Sequence, residues 1–199
     1  ESSWDDGLPL RLDNKDGFGG LYTGLNQELY WPDEQDEDSN GISDKLERMV
    51  DTLSRGEYLI ITSNRQYGSI PRVPIRYPLS TAYYRLLFNC PEPLYVPKCG
   101  ADLQPTGEVN ALGYELVRVY QSDPQLGPLS VNDQMAEEAF TVYDHPKVLI
   151  FARSPTFSEE AVRSVLSRVD LSHIIHVLPA QARSVPPDLG VRCPMLDVC

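Results

Sequence analysis

The chain has 199 residues, 41% of them hydrophobic and 23% charged, with a formal net charge of −12. That length buries a sizeable core in one domain, and the longest apolar runs, such as Val148–Ala152, fall far short of a bilayer span. The acids crowd into residues 1–50, thirteen Asp or Glu against four Lys or Arg, and a field of that sign repels phosphate backbones, which excludes a general nucleic-acid binder.

Nothing at the start reads as a signal peptide, and the abrupt ends at Glu1 and Cys199 suggest an excised fragment. Leu8–Leu12 alternates weakly as a first strand, followed by a glycine-rich stretch to Gly24 and an acidic loop over 32–41. From Ser43, the spacing of Leu46, Met49, Val50 and Leu53 predicts a helix that Gly56 caps. Tyr58–Thr62 is then a short strand of the fully buried kind. Residues 64–78 are irregular, with three prolines, and a second helix runs from Leu79 to Phe88 behind Pro78. Residues 90–112 form a long Pro/Gly loop. Strands follow at Tyr114–Gln121 and Lys147–Arg153, separated by a short capped helix over Asn132–Phe140. Ser158, with Glu159 and Glu160 behind it, opens a helix to about Val169. His173–Leu178 is a last strand. Strands alternating with helices predict an α/β fold: a layered domain with a mainly parallel or mixed sheet, helices packed on it, and long Pro/Gly-rich loops. It spans residues 1–182 as a single domain, with an irregular tail over 183–199.

The sharpest motif is Asp36-Glu-Asp38-Ser-Asn40-Gly41-Ile42-Ser-Asp44-Lys-Leu-Glu47, which fits the calcium-loop pattern at every specified position. Calcium takes about six to eight oxygen ligands. Asp36, Asp38 and Asn40 converge only if the chain turns sharply at Gly41. Ile42 then offers its carbonyl, Asp44 a carboxylate or a bound water, and Glu47 closes the cage from the first turn of the helix. The segment before the loop, Tyr30-Trp-Pro-Asp-Glu34, looks non-helical, which favours a single structural site over a sensor. The competing reading is a solvated acidic loop.

A second candidate follows a predicted core strand, where α/β proteins place ligands. Arg65, Arg72 and Arg76 can grip phosphate or carboxylate, and Tyr67 and Tyr77 offer stacking faces for sugars; equally, these arginines can pair with the protein's own carboxylates. Four cysteines fall into two local pairs, Cys90/Cys99 and Cys193/Cys199, without zinc spacing; an oxidising compartment would permit two disulfides, and four unlinked thiols are the competing reading.

Other constellations are weaker. Gly17-Phe-Gly19-Gly20 fails the dinucleotide fingerprint because residue 22 is Tyr, and no P-loop lysine follows. Trp4-Asp5-Asp6 has no histidine nearby in sequence. Asp144-His145 is the only Asp–His neighbour pair, and no nucleophile-elbow motif accompanies it. Glu137 and Glu138 read as exposed residues of a short helix. His173 and His176 would point to opposite faces of a strand and make a poor metal pair.

Four segments taken together resemble a known group: Trp4-Asp-Asp-Gly-Leu-Pro9, Ile60-Ile-Thr-Ser-Asn-Arg-Gln-Tyr-Gly68, Arg76-Tyr-Pro-Leu-Ser-Thr-Ala-Tyr-Tyr84 and Ala136-Glu-Glu-Ala-Phe-Thr-Val-Tyr-Asp-His-Pro-Lys-Val148. They are similar to soluble segments of large polytopic membrane proteins of the dolichyl-phosphate-mannose-type glycosyltransferase families, including a group labelled "YYY" membrane proteins. The resemblance implies an extracytoplasmic accessory domain of an enzyme that moves a sugar from a polyprenyl-phosphate carrier. The membrane-embedded remainder of the same polypeptide would be its partner, and a lipid-phosphate sugar or a glycan its ligand. It implies no catalytic residue here, because the family's catalytic acid lies between early membrane helices. The calcium loop is not a feature of the family as a whole. Two alternatives stand beside this expectation: an independent calcium-stabilised carbohydrate-binding module, and a hydrolase built on Asp144 and His145.

Overall fold

A computed structural model describes residues 25–30, 43–136 and 139–175. The expected strand at Leu8–Leu12, the Gly17–Gly20 and Trp4–Asp6 segments, Glu137, Glu138, His176, Cys193, Cys199 and the 183–199 tail lie outside them.

After a short helix α1 (Asn26–Tyr30), helix α2 (Asp44–Arg55) forms where the period placed it, with Leu46, Met49, Val50 and Leu53 buried on one face. Acids in its first turn and Arg55 in its last complement the helix dipole. Strand β1 (Tyr58–Ile61) leads through a short helix α3 (Arg65–Ser69) and a 3₁₀ turn (Ile70–Arg72) into α4 (Pro78–Leu87), which Pro78 opens. The disulfide Cys90–Cys99 closes the next loop. Within it stands a helix that the sequence pattern hid, α5 (Val96–Asp102). Strand β2 (Tyr114–Tyr120) follows, then a two-residue hairpin, β3 (Gln125–Leu126) and β4 (Leu129–Ser130). A π-helical turn (Ala139–Asp144) precedes β5 (Val148–Arg153), and α6 (Glu159–Leu166) is the last regular element among the described residues. Ser158 caps α6, its hydroxyl accepting the Ala161 N–H at 3.3 Å.

The main sheet has the order β1-β5-β2, and β5 runs antiparallel to both neighbours. The mainly parallel or mixed sheet expected from the alternating pattern is therefore not formed. The reason lies in where β5 goes. β1 and β2 do run in the same direction, as a strand–helix–strand crossover requires, but β5 inserts between them and takes all the hydrogen bonds that would have paired them.

Helices cover one face of this sheet. Leu116, Leu149 and Phe151 join Met49, Tyr83, Tyr84, Leu87 and Phe88 in one core. Tyr67 and Phe88 meet edge to face with centroids 5.2 Å apart, and Tyr83 meets Tyr84 at 5.1 Å. On the other face Tyr58 and Ile60 are exposed, so β1 is a half-exposed edge strand and not the fully buried kind. Two further expectations fail locally. The helix expected over Asn132–Phe140 is instead a turn at 134–136 and the π-helical turn, and residues 173–175 do not form a strand.

Buried polar groups tie the layers together. The Tyr114 hydroxyl donates to Leu53 O at 2.7 Å, a carbonyl at the end of α2 that also accepts the Gly56 N–H at 3.3 Å. Lys147 is fully buried, its Nζ donating to Ala101 O at 2.6 Å and Leu103 O at 2.9 Å at the end of α5. The Arg163 guanidinium of α6 holds Glu47 of α2 through Nε–Oε1 at 2.8 Å and Nη2–Oε2 at 3.1 Å.

Candidate functional site

Tyr120 pairs with Val148 and Ile61 with Leu149, so the end of β2, the start of β5 and the end of β1 share one edge of the sheet. From it emerge residues 62–65, which start α3, and the whole 121–147 segment. The Asn64 amide donates to Gln134 O at 3.2 Å. Gln134 in turn donates from Nε2 to His145 O at 3.2 Å, and its backbone N–H is capped by Asn132 Oδ1 at 3.0 Å. The π-helical turn closes with His145 N donating to Phe140 O at 2.9 Å, and such wide turns collect at functional sites.

This scaffold sets up two neighbouring pairs. Arg65 Nη2 donates to the Tyr143 hydroxyl, and the guanidinium carbon lies 5.5 Å from the Tyr143 ring centroid. Behind it, the Tyr30 hydroxyl reaches Arg65 O at 3.4 Å and Ser69 Oγ at 3.2 Å. Two residues beyond Tyr143, His145 turns its Nδ1 toward Asp133 Oδ2 at 3.5 Å. The imidazole thus faces Asp133, twelve residues back, and not its sequence neighbour Asp144. Both of those atoms, and Gln134 Oε1, are buried without a hydrogen-bond partner among the described residues. A carboxylate behind an imidazole can fix its orientation, but no hydroxyl or thiol among the described residues hydrogen-bonds His145. Among the described residues no nucleophile joins the pair into a hydrolytic triad.

The five arginine-segment residues meet different neighbours among the described residues. Arg65 sits on Tyr143. Arg76 lies over its neighbour Tyr77, 5.5 Å from the ring centroid. Arg72 projects from the 3₁₀ turn into solvent. Tyr67 is withdrawn into the core, where burial pushes its phenol far above the usual range. Tyr143, Asn64, Asp133 and Gln134 are the partners that spacing did not reveal. Their only sequence signal is that Asn64 and Tyr143 lie inside two of the quoted phrases.

Of the calcium loop, Asp36, Asp38, Asn40 and Ile42 lie outside the described residues. Asp44 is exposed on the first turn of α2. Both carboxylate oxygens of Glu47 are engaged by Arg163, and those hydrogen bonds hold the guanidinium above its usual pKa. No group of three His, Cys, Asp or Glu side chains suited to a metal occurs among the described residues.

No known protein family matches the chain, and no curated protein or solved structure is similar to it.

Proposed function

We propose that this chain is an extracytoplasmic accessory domain of a membrane-bound glycosyltransferase that uses a polyprenyl-phosphate-linked sugar donor. The observation that carries this reading is a convergence. Two of the segments that resemble the family, Ile60–Gly68 and Ala136–Val148, lie 78 residues apart at Arg65 and Tyr143 yet meet there in direct contact. An arginine set on the face of an exposed tyrosine offers a charge-assisted donor for a phosphate beside a flat surface for a sugar ring. The Cys90–Cys99 disulfide supports an oxidising compartment, as the outer face of a cell membrane provides.

No described helix is long and apolar enough to cross a membrane; the anchor, and the catalytic acid, belong under this reading to the membrane-embedded remainder of the polypeptide. A structural calcium ion held by Asp36, Asp38, Asn40, the Ile42 carbonyl, Asp44 and Glu47 completes the proposal.

Two measurements test it. An antibody against the domain should detect, in fractionated cells, a band much larger than 22.4 kDa that a carbonate wash leaves in membranes; a soluble band near that mass removes the transferase reading. In the intact enzyme, Arg65→Ala should then lower transfer at least about tenfold, because a charge-assisted hydrogen bond contributes roughly 1.5–3 kcal/mol. Unchanged transfer would remove Arg65 from the site.

A further inference from the structure

Half of the exposed large apolar side chains among the described residues fall within the 121–147 segment that hangs from one end of the sheet. The β3–β4 hairpin arranges three of them deliberately. Leu126 pairs with Leu129 across the turn, and Gln125 pairs with Ser130. Val131 N donates to Pro124 O at 3.0 Å, which carries the pairing one step further. Because side chains alternate between faces of a strand, Pro124, Leu126, Leu129 and Val131 share one face while Gln125 and Ser130 take the other. Leu126 is 80% exposed, Leu129 59% and Val131 51%. A glycine at φ +60°, Gly127, and the following Pro128 make the tip that presents them. Residues 124–132 carry no charge at all, although Asp123 and Asp133 bracket them in a chain of net charge −12.

We infer that this hairpin is a membrane-docking tip, its apolar face seated among the acyl chains and headgroups of an electrically neutral lipid surface. Three features select that occupant. A second copy of the chain would bring another −12 to the contact. The three exposed side chains of the tip, taken alone, also offer much less than the about 1,000 Å² that a specific protein interface buries. A lipid surface sets no such minimum: it accepts a narrow convex tip, and each apolar group buried adds to the attachment. Finally, an uncharged face brings no ion to be desolvated, whereas the acids on either side of it disfavour anionic headgroups.

The inference rests on the reading that the domain stands beside a bilayer, but its test needs no enzyme. The chain, carrying a terminal hexahistidine tag, is held on phosphatidylcholine vesicles doped with a small fraction of nickel-chelating lipid. Tryptophan is placed at either face, as Leu126→Trp or Ser130→Trp, and emission is read as the difference from the unsubstituted chain. Leu126→Trp should shift to the blue and lose emission when the lipid is brominated, while Ser130→Trp does neither. Adding Leu129→Ser and Val131→Ser to Leu126→Trp should abolish both effects without lowering the melting temperature. No blue shift at position 126, or equal quenching at both positions, overturns the inference. A blue shift without bromolipid quenching that grows with surface density identifies a second copy instead of lipid, and overturns it too. Should the fractionated parent prove soluble while the tip still enters lipid, only the transferase reading falls.

Discussion

A Cβ added at Gly100 would lie 2.6 Å from a ring carbon of Tyr67 and 2.9 Å from one of Phe88, closer than van der Waals contact allows. Gly100→Ala must push α5 off those buried rings, at a cost of about 1–3 kcal/mol. Urea unfolding should show a lower midpoint with an unchanged slope. Lys147 makes the opposite kind of demand, an ammonium wholly out of water. Desolvation lowers its pKa from 10.5 to about 8, against the pull of Asp102 and Asp123. Between those two values the unfolded chain binds the extra proton, so stability rises with pH across that window. Buried phenols set the upper limit. Burial raises Tyr114 to about 12 and Tyr67 and Tyr83 higher still, so above their ordinary value of 10.0 the unfolded chain loses protons that the fold retains. Urea midpoints should climb into the high pH 9 range and then collapse, and Lys147→Met should remove the climb but keep the collapse.

Among the elements, the loop closed by Cys90–Cys99 is held twice. Arg85 Nη1 also donates to the carbonyls of Cys90, Pro91 and Leu94 at 3.3, 3.3 and 3.2 Å. A short cross-linked loop contributes about 2–3 kcal/mol by restricting the unfolded chain. Replacing both cysteines by alanine should lower stability by that amount, and the wild type under reductant should follow it. This loop also shows what the sequence conceals. α2, α4, β2, β5 and α6 were legible because each has a clean period, a proline start or a serine cap. α5 was not, because Pro97 opens it and Gly100 sits inside it, residues that read as loop until Tyr67 and Phe88 are seen to require the missing side chain. The Asp133–His145 pair was hidden differently: Asp144 is adjacent in sequence, but His145 turns its Nδ1 toward Asp133, twelve residues back.

Across the whole molecule, Arg163 and Glu47 join α6 to α2 over 116 residues of sequence, and that link bears directly on calcium. If Glu47 closes the ion cage with both oxygens, calcium must displace the guanidinium that now holds them. Calcium should therefore raise the melting temperature, Glu47→Gln should abolish the rise, and Arg163→Met should tighten binding by removing a competitor. Identical melting curves with calcium and with chelator would exclude the site. Strand direction belongs to this scale as well. Local pattern can show that β1 and β2 run the same way, but not that a later strand separates them.

The placement of β5 has a temporal consequence. The middle strand of the sheet is the last to leave the ribosome or a translocation pore, since residues 148–153 follow both of their partners. Until they emerge, β1 and β2 each wait with bare hydrogen-bonding edges, and the rings of Tyr83, Tyr84 and Phe88 lack the floor that Leu149 and Phe151 provide. The described sheet therefore cannot close piecemeal from its N-terminal strand; it closes only once β5 has emerged.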